Sequence, residues 1–264
     1  MSTGVQDAYD RSAEAWEAGP EQVYAHLAAA LVEGSPVPLP RARVLDLGAG
    51  TGVAGRAALA AGAARVVAVD LAAAMLRRII GRAGGPGAGA VWAVQADACA
   101  LPFTAGSFDL VLAAMSLGHV PDPGRALREA RRVGPALAAS AFSPGWTHPA
   151  KAAVDAALAP HGFRPPPWYV RIKSEVEPQV DDPERLHALA TAAGYRRVAV
   201  RTVSVATGLD TPSQLAGWRL GMAHLAPFLA TLGAAEQDAA RRAAEAALLD
   251  TPPLVIPLIV LSAN

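Results

Sequence analysis

The chain has 264 residues, with 23 Lys plus Arg against 23 Asp plus Glu, and is 52% hydrophobic and 17% charged. That length and apolar content suit a single folded domain over 1–264 and exclude a disordered chain. Zero net charge without a run of like charges argues against a nucleic-acid partner.

The lone Cys99 excludes an internal disulfide framework and a cysteine-rich zinc site. The six histidines show no HExxH or HxxxH pair, so the pattern offers no metal site. Arginine outnumbers lysine by 21 to 2, and 62 residues are alanine, a bias that resembles GC-rich bacterial coding. The N-terminal stretch is acidic and has no apolar core of a leader peptide. The most apolar C-terminal run, Leu254 to Leu261, is interrupted by Pro257 and falls far short of the roughly 20 residues of a membrane span. A cytoplasmic protein is expected.

In chain order, residues 5–33 show helical spacing (Tyr9, Ala13, Trp16, then Val23, Leu27, Leu31), broken at Gly19-Pro20. Proline and glycine punctuate 34–40. Arg43 to Leu47 is a short apolar strand that ends in Gly48-Ala-Gly-Thr-Gly52 and leads into a helix over 53–61. Ala64 to Asp70 is a second strand, Leu71 to Arg82 a helix, and Gly84 to Gly89 a loop before a third strand, Ala90 to Gln95. Phe108 to Ala114 and Ala136 to Phe142 are strands four and five, around a helix over 123–133. Short apolar runs alternating with helices imply parallel βαβ units buried on both faces.

Beyond Phe142 the pattern loosens over the proline-rich 143–181. A helix follows from Asp182 to Ala193, then a sixth strand over 195–205, a helical lid-like stretch over 211–249, and a last strand over 254–262.

The glycine run permits two registers. Gly50-Thr-Gly52-Val-Ala-Gly55 fits G-x-G-x-x-G, the dinucleotide fingerprint, and would make the protein an NAD(P)-dependent oxidoreductase. Gly48-Ala-Gly50-Thr-Gly52 instead starts directly after the strand and places Asp46 at the strand tip. A carboxylate there can receive an ammonium group and would repel a pyrophosphate. Asp70 ends the second strand, 24 residues on, where it suits ribose hydroxyls, and Asp97 follows 27 residues later, where it can accept from an adenine amine. The loop holds no Lys or Arg for a phosphate. The implied ligand combines an amino acid, a ribose and an adenine.

These residues carry a resemblance. Val44 to Gly52 resembles motif I of the class I S-adenosylmethionine (SAM)-dependent methyltransferases. Val66 to Asp70 with Met75-Leu76 resembles their second motif; Ala96-Asp-Ala98, Leu101-Pro-Phe103 and Ser107-Phe-Asp109 resemble the third. Leu117-Gly-His-Val-Pro-Asp122 resembles the segment after strand four in the subgroup of ubiquinone, menaquinone and natural-product methyltransferases. The likeness covers about 40–142, with an echo at Tyr9–Trp16. The chain departs from the family in a shortened turn, Val133-Gly-Pro135, and in having Gly118-His119 where many relatives pair two histidines.

The resemblance implies a Rossmann-like α/β fold with seven mostly parallel strands in the order 3-2-1-4-5-7-6, strand seven antiparallel. It implies SAM as cofactor, with S-adenosylhomocysteine (SAH) as product. The SAM-binding core would be 40–142, covered by helices in 1–33, and 143–181 with 206–252 would form an acceptor lid. Its cofactor residues would be Tyr9, Trp16, Asp46, Gly48, Ala49, Gly50, Gly52, Asp70, Leu71, Met75, Asp97, Ala98 and Ala114. Asp109 lies at the opposite end of strand four and reads as structural.

The expected activity is in-line methyl transfer to a small, mostly apolar acceptor, a secondary metabolite, by a monomer or homodimer. His119 and His224 are the candidate bases, since imidazole titrates nearest neutral pH. Met115, Trp146, Trp168, Trp218, Met222 and Phe228 are candidates for the acceptor pocket. Besides the oxidoreductase, a SAM binder without methyl-transfer activity stays open as an alternative.

Overall fold

The apolar runs become β1 (Arg43–Leu47), β2 (Arg65–Asp70), β3 (Val91–Gln95), β4 (Leu110–Ala114), β5 (Ala136–Phe142), β6 (Val198–Ala206) and β7 (Val255–Ala263). They hydrogen-bond into a seven-stranded sheet of order β3-β2-β1-β4-β5-β7-β6. β7 runs antiparallel to β5 and β6, and the other pairings are parallel. The computed structural model describes residues 3–80 and 91–264; the expected loop over Gly84–Gly89 and the first residue of the third strand, Ala90, lie outside them.

The central strands are buried because successive side chains feed two different cores. Val44, Leu110 and Leu112 point into one, while Leu45, Val111 and Ala113 point into the other. This is why β1 and β4 read as unbroken apolar runs. At the far end of β4, the exposed Asp109 pairs with Arg43 (Nη2 to Oδ1, 2.7 Å) and pins the two strand starts. Strand four accordingly begins at Leu110, two residues later than expected.

The helices are α1 (Thr3–Ala18), α2 (Pro20–Glu33), α3 (Val53–Ala60), α4 (Ala73–Ile80), α5 (Pro123–Val133), α6 (Pro149–Leu158), α7 (Pro167–Arg171), α8 (Pro183–Ala192), α9 (Pro212–Leu220), α10 (Ala226–Leu229) and α11 (Ala234–Ala246). Several begin with a proline behind a capping side chain. Asp122 accepts from the Arg125 N–H at 2.8 Å, Asp182 from Arg185 at 2.9 Å, and Thr211 forms a capping box with Gln214.

The structure adds detail to two stretches. The 143–181 region is largely helical: α6 and α7 are followed by a π-helical turn, Ile172–Val176, and a 3-10 turn, Glu177–Gln179. Its prolines open helices rather than break them. The stretch 211–249 is three helices, parted near Gly221 and Gly233. The sixth strand also starts later, at Val198, because Tyr195 turns into the core at 2% exposure.

α1 lies over the carboxyl ends of β1 and β2. The Ala74 N–H at the start of α4 donates to Asp10 at 2.7 Å, and Arg78 pairs with Glu17 at 3.1 Å. α1 also touches α7, α9 and α10, so it bridges the sheet edge and the helical cover. No described helix is long and apolar enough to cross a membrane.

Candidate active site

The turn after β1 is held by main chain. The Gly48 and Ala49 N–H groups both donate to the Val69 carbonyl, at 2.8 and 2.9 Å. Gly48 has φ +70, and a Cβ on it would stand 2.4 Å from the Cβ of Ser116, whose hydroxyl donates to the Leu47 carbonyl at 2.6 Å. Only glycine fits there. Gly50 has φ +54 for a different reason: a Cβ on it would meet no protein atom within 4 Å, since it borders open space.

That space is a cavity of about 150 Å³ at the carboxyl ends of β1, β2 and β4. Of the residues expected to hold a cofactor, it is lined by Gly48, Ala49 and Gly50 from the turn, by Asp70, Leu71 and Met75 beyond β2, by Asp97 and Ala98 beyond β3, and by Ala114. Tyr9 and Trp16 from α1 close it, their rings tilted at 58° with centroids 5.5 Å apart. Asp70 accepts from the Gly50 N–H at 2.8 Å and from the Ala72 N–H at 2.9 Å. Burial pushes its carboxyl above the usual range, and those N–H groups oppose the shift. Among the described residues, the cavity wall holds two carboxylates and no Lys or Arg.

Asp46 and Gly52 stand elsewhere than expected. Asp46 is fully buried behind the turn and accepts from the Gly55 N–H at 2.8 Å. Its other oxygen has no partner, and burial pushes its carboxyl up to about 7. It ties β1 to α3 and is not among the residues that line the cavity. Gly52 opens α3 and lies against Ile79, away from the cavity. Gly55, the third glycine of the dinucleotide register, is inside α3, where a Cβ would be 3.0 Å from Val66.

A second chamber of about 40 Å³ adjoins the first, and Tyr9, Tyr24 and His119 line both. Trp146, Trp168, Trp218 and Met222 line this chamber. Met115 lies instead between the main cavity and a small recess of about 20 Å³. Phe228 is the exception among the expected acceptor residues: it packs on Phe163 with centroids 5.3 Å apart and borders neither space.

His119 borders all three spaces. Its Nε2 is 3.1 Å from the Tyr9 hydroxyl. Burial lowers its pKa below the ordinary value, and Glu177 opposes that shift while Lys173 adds to it. The ring is therefore neutral near pH 7, and Nε2 accepts from Tyr9 when Nδ1 carries the proton. His224 cannot act in the same way. Its Nε2 is 3.2 Å from the Arg219 guanidinium, which can only donate, and its ring stacks on Tyr169 at 3.8 Å. Burial, with Arg219 next, lowers its pKa to about 2, so its lone pair is already engaged and it is no base.

The sequence reading passed over Tyr24, Lys151, Tyr169, Lys173, Glu177 and Arg219, all of which line the chamber. One signal was available: both lysines of a chain with 21 arginines are in this group.

Residues 45–135 match the methyltransferase domain family. The demethylmenaquinone methyltransferase of Clavibacter sepedonicus is 40% identical over 133 residues, 50% of this chain and 51% of that protein. The sheet order, the turn and the family match agree. Over residues 45–135 the chain is similar to a class I methyltransferase domain. The malonyl-[acyl-carrier protein] O-methyltransferase of Halorhodospira halophila is 48% identical over 99 residues, 37% of this chain and 33% of that protein. The methyltransferase domain thus accounts for the likeness, and the matches span about half or less of these curated relatives. Among solved structures, a protein assigned as a methyltransferase of an antibiotic biosynthesis pathway in Anabaena variabilis superposes with a TM-score of 0.60. It is 15% identical, with 88% of this chain and 95% of that one covered, so the likeness is one of fold.

Proposed function

We propose that this protein transfers a methyl group from SAM to a small-molecule acceptor, a secondary metabolite, held in the chamber beside Tyr9 and His119. One observation carries the reading. A cavity walled, among the described residues, by two carboxylates, open backbone and no cation leads through a part-buried Tyr–His pair into an aromatic chamber.

The wall suits SAM and opposes a dinucleotide. Asp70 can accept from ribose hydroxyls, Asp97 from the amine of the base, and Met75 and Leu71 offer apolar contact. A pyrophosphate would face Asp70 with no Lys or Arg among the described wall residues to offset it. The relatives' names, of quinone and acyl-carrier-protein methyltransferases, support methylation of a small or carried acceptor.

When bound, SAM supplies a methyl group already activated on a sulfonium. The protein's part is then alignment and exclusion of water. Tyr9, Trp16 and Tyr24 seal the cavity from the α1 and α2 side. For a hydroxyl acceptor, His119 takes the proton at Nε2, the position now occupied by the Tyr9 hydroxyl. The segments 143–181 and 206–252 act as the acceptor's cover. We further infer a cytoplasmic monomer or homodimer without a nucleic-acid partner, consistent with its zero net charge.

The deciding experiment is a pair of melting curves, with SAH and with NADH. Ligand at 100 times its dissociation constant adds about 2.7 kcal/mol, or roughly 5–10 °C at this size. A rise with SAH alone, lost in Asp70→Ala, is expected. A rise with NADH alone would overturn the reading.

A further inference from the structure

The chamber departs from an ordinary apolar pocket in its charges. Lys151 on α6 and Lys173 on the π-helical turn both line it, and they are the only lysines in the chain. Lys173 is neutralised by Glu177, with its Nζ 2.6 and 2.7 Å from the two carboxylate oxygens. Arg219, buried at 2% exposure, pairs with Asp155 at 3.2 Å. Lys151 has no carboxylate within ion-pair distance among the described residues. Its ammonium group lies 3.7 Å from the centre of the Trp146 ring, 5.7 Å from that of Phe142, and 3.5 Å from the Trp146 carbonyl.

The charged groups acting on Lys151 are Lys173 and Arg219, which disfavour its charge, and Glu177 and Asp155, which favour it. His119 and His224 face the same space as neutral rings, with Tyr9, Tyr24 and Tyr169 beside them. Of the chamber's three basic side chains, Lys173 and Arg219 each have their own carboxylate, and Lys151 is the one left without a counter-charge in ion-pair contact among the described residues. An ammonium group half removed from water without an anion is costly, and the Trp146 face offsets only part of that cost. The burial cost, with Lys173 and Arg219 adding to it, pulls the Lys151 amine down to about 7, as expected of a cation lacking its counter-charge.

Resting on the methyltransferase reading, we propose that the acceptor carries one acidic group, a carboxylate or its equivalent, which seats beside Lys151 as the specificity handle. The size suits the acidic group alone. A space of about 40 Å³ holds a few atoms, since one water needs roughly 10–15 Å³ and benzene fills a cavity of about 150 Å³, so the rest of the acceptor must reach past Tyr9 and His119 toward the cofactor cavity. The placement also assigns a direction. Lys151 does not border the cofactor cavity, whereas Tyr9, Tyr24 and His119 border both spaces. The acid therefore sits on the far side, and the atom to be methylated lies at the Tyr9–His119 boundary. Phe142 and Trp146, stacked at 5.0 Å, form the apolar wall along the body of the acceptor.

Two lysines make the test direct. In protein labelled with ¹³C at lysine Cε, the two signals are assigned with Lys151→Met and followed in the SAH-loaded protein. The probes are propionate and the neutral propionamide. Propionate is expected to move the Lys151 signal saturably, and to raise the midpoint of its pH titration by about one unit because a nearby anion favours the charged amine. Propionamide should leave it in place. Lys151→Met should weaken propionate binding at least tenfold, and Lys151→Arg should retain most of it. Equal responses to both probes, or none to propionate, would overturn the handle, and the wild-type titration decides this even if a variant misfolds. SAH binding is measured by calorimetry on the same sample before propionate is added. Its absence would overturn the methyltransferase reading, whatever propionate does.

Discussion

The cofactor cavity takes its wall from main chain and strand tips within residues 47–121, with a cover from α1 and α2, whereas the acceptor chamber takes its wall from side chains spread between Tyr9 and His224. The first needs a turn of fixed backbone and acids at fixed strand ends, which a parallel sheet supplies by topology. The second needs α1, α6, α7, the π-helical turn and α9 to converge. The one is set by a short local run, and the other by long-range packing. A single substitution should therefore damage the cavity through backbone geometry and the chamber through charge and ring placement.

The strongest way to sharpen that comparison is at the boundary. With a hydroxyl acceptor, His119→Ala should lower kcat by about 10²–10⁴ and leave SAH affinity unchanged, as read from steady-state rates and calorimetry. A matching loss of SAH affinity would mean that the ring serves the cofactor cavity alone.

Next in size is a contrast within the turn. Gly48→Ala combines a positive φ with a 2.4 Å clash on Ser116 and should cost about 2–4 kcal/mol, lowering Tm by roughly 5–15 °C. Gly50→Ala faces open space, so it should cost about 1 kcal/mol of stability through its φ while weakening SAH at least tenfold. If both variants lost stability alike, the turn would not border an open site.

The chamber's electrostatics should show in acid. His224 is buried with its pKa lowered, so the unfolded chain takes up a proton below about 6.5 that the folded one refuses. Stability from this group is fully present above 6.5 and is lost on acidification, by about 1.4 kcal/mol per pH unit. His224→Gln removes the titration. The variant's Tm should therefore fall less than the wild type's between pH 7 and 5, with the opposing Asp46 contribution common to both. Parallel curves would mean that the ring is protonated in the fold. The smallest effect is expected at Asp97, which is exposed and accepts from the Cys99 N–H at 2.8 Å. Asp97→Ala should weaken SAH by about two- to fivefold, measured by calorimetry.

The sequence showed the sheet clearly because its signals are local. Apolar runs, a glycine turn and acids at or just after three strand ends lie within a few residues of one another, and together they mark βαβ units. It showed the 143–181 helices poorly because proline breaks a helix interior yet favours its first turn, and Pro149 and Pro167 are first-turn prolines. Asp46 illustrates a subtler limit. Strand alternation places its side chain on one face of the sheet, but whether that face holds the ligand or α3 depends on how α3 packs back. Likewise, Phe228 is expected beside Trp218 and Met222, but the chain turns between α9 and α10 and carries it toward Phe163.

The sequence by itself determined the alternating βα units, the turn that approaches a ligand, and the sign of charge around it, since these follow from residue types at short spacing, whereas the strand order to expect is what the family resemblance implies. The tertiary structure alone decided which histidine keeps a usable lone pair and which lysine lacks a carboxylate. Both depend on burial and on partners that folding brings from distant parts of the chain: Arg219 next to the His224 ring and Asp155, and Glu177 for Lys173 with none left for Lys151.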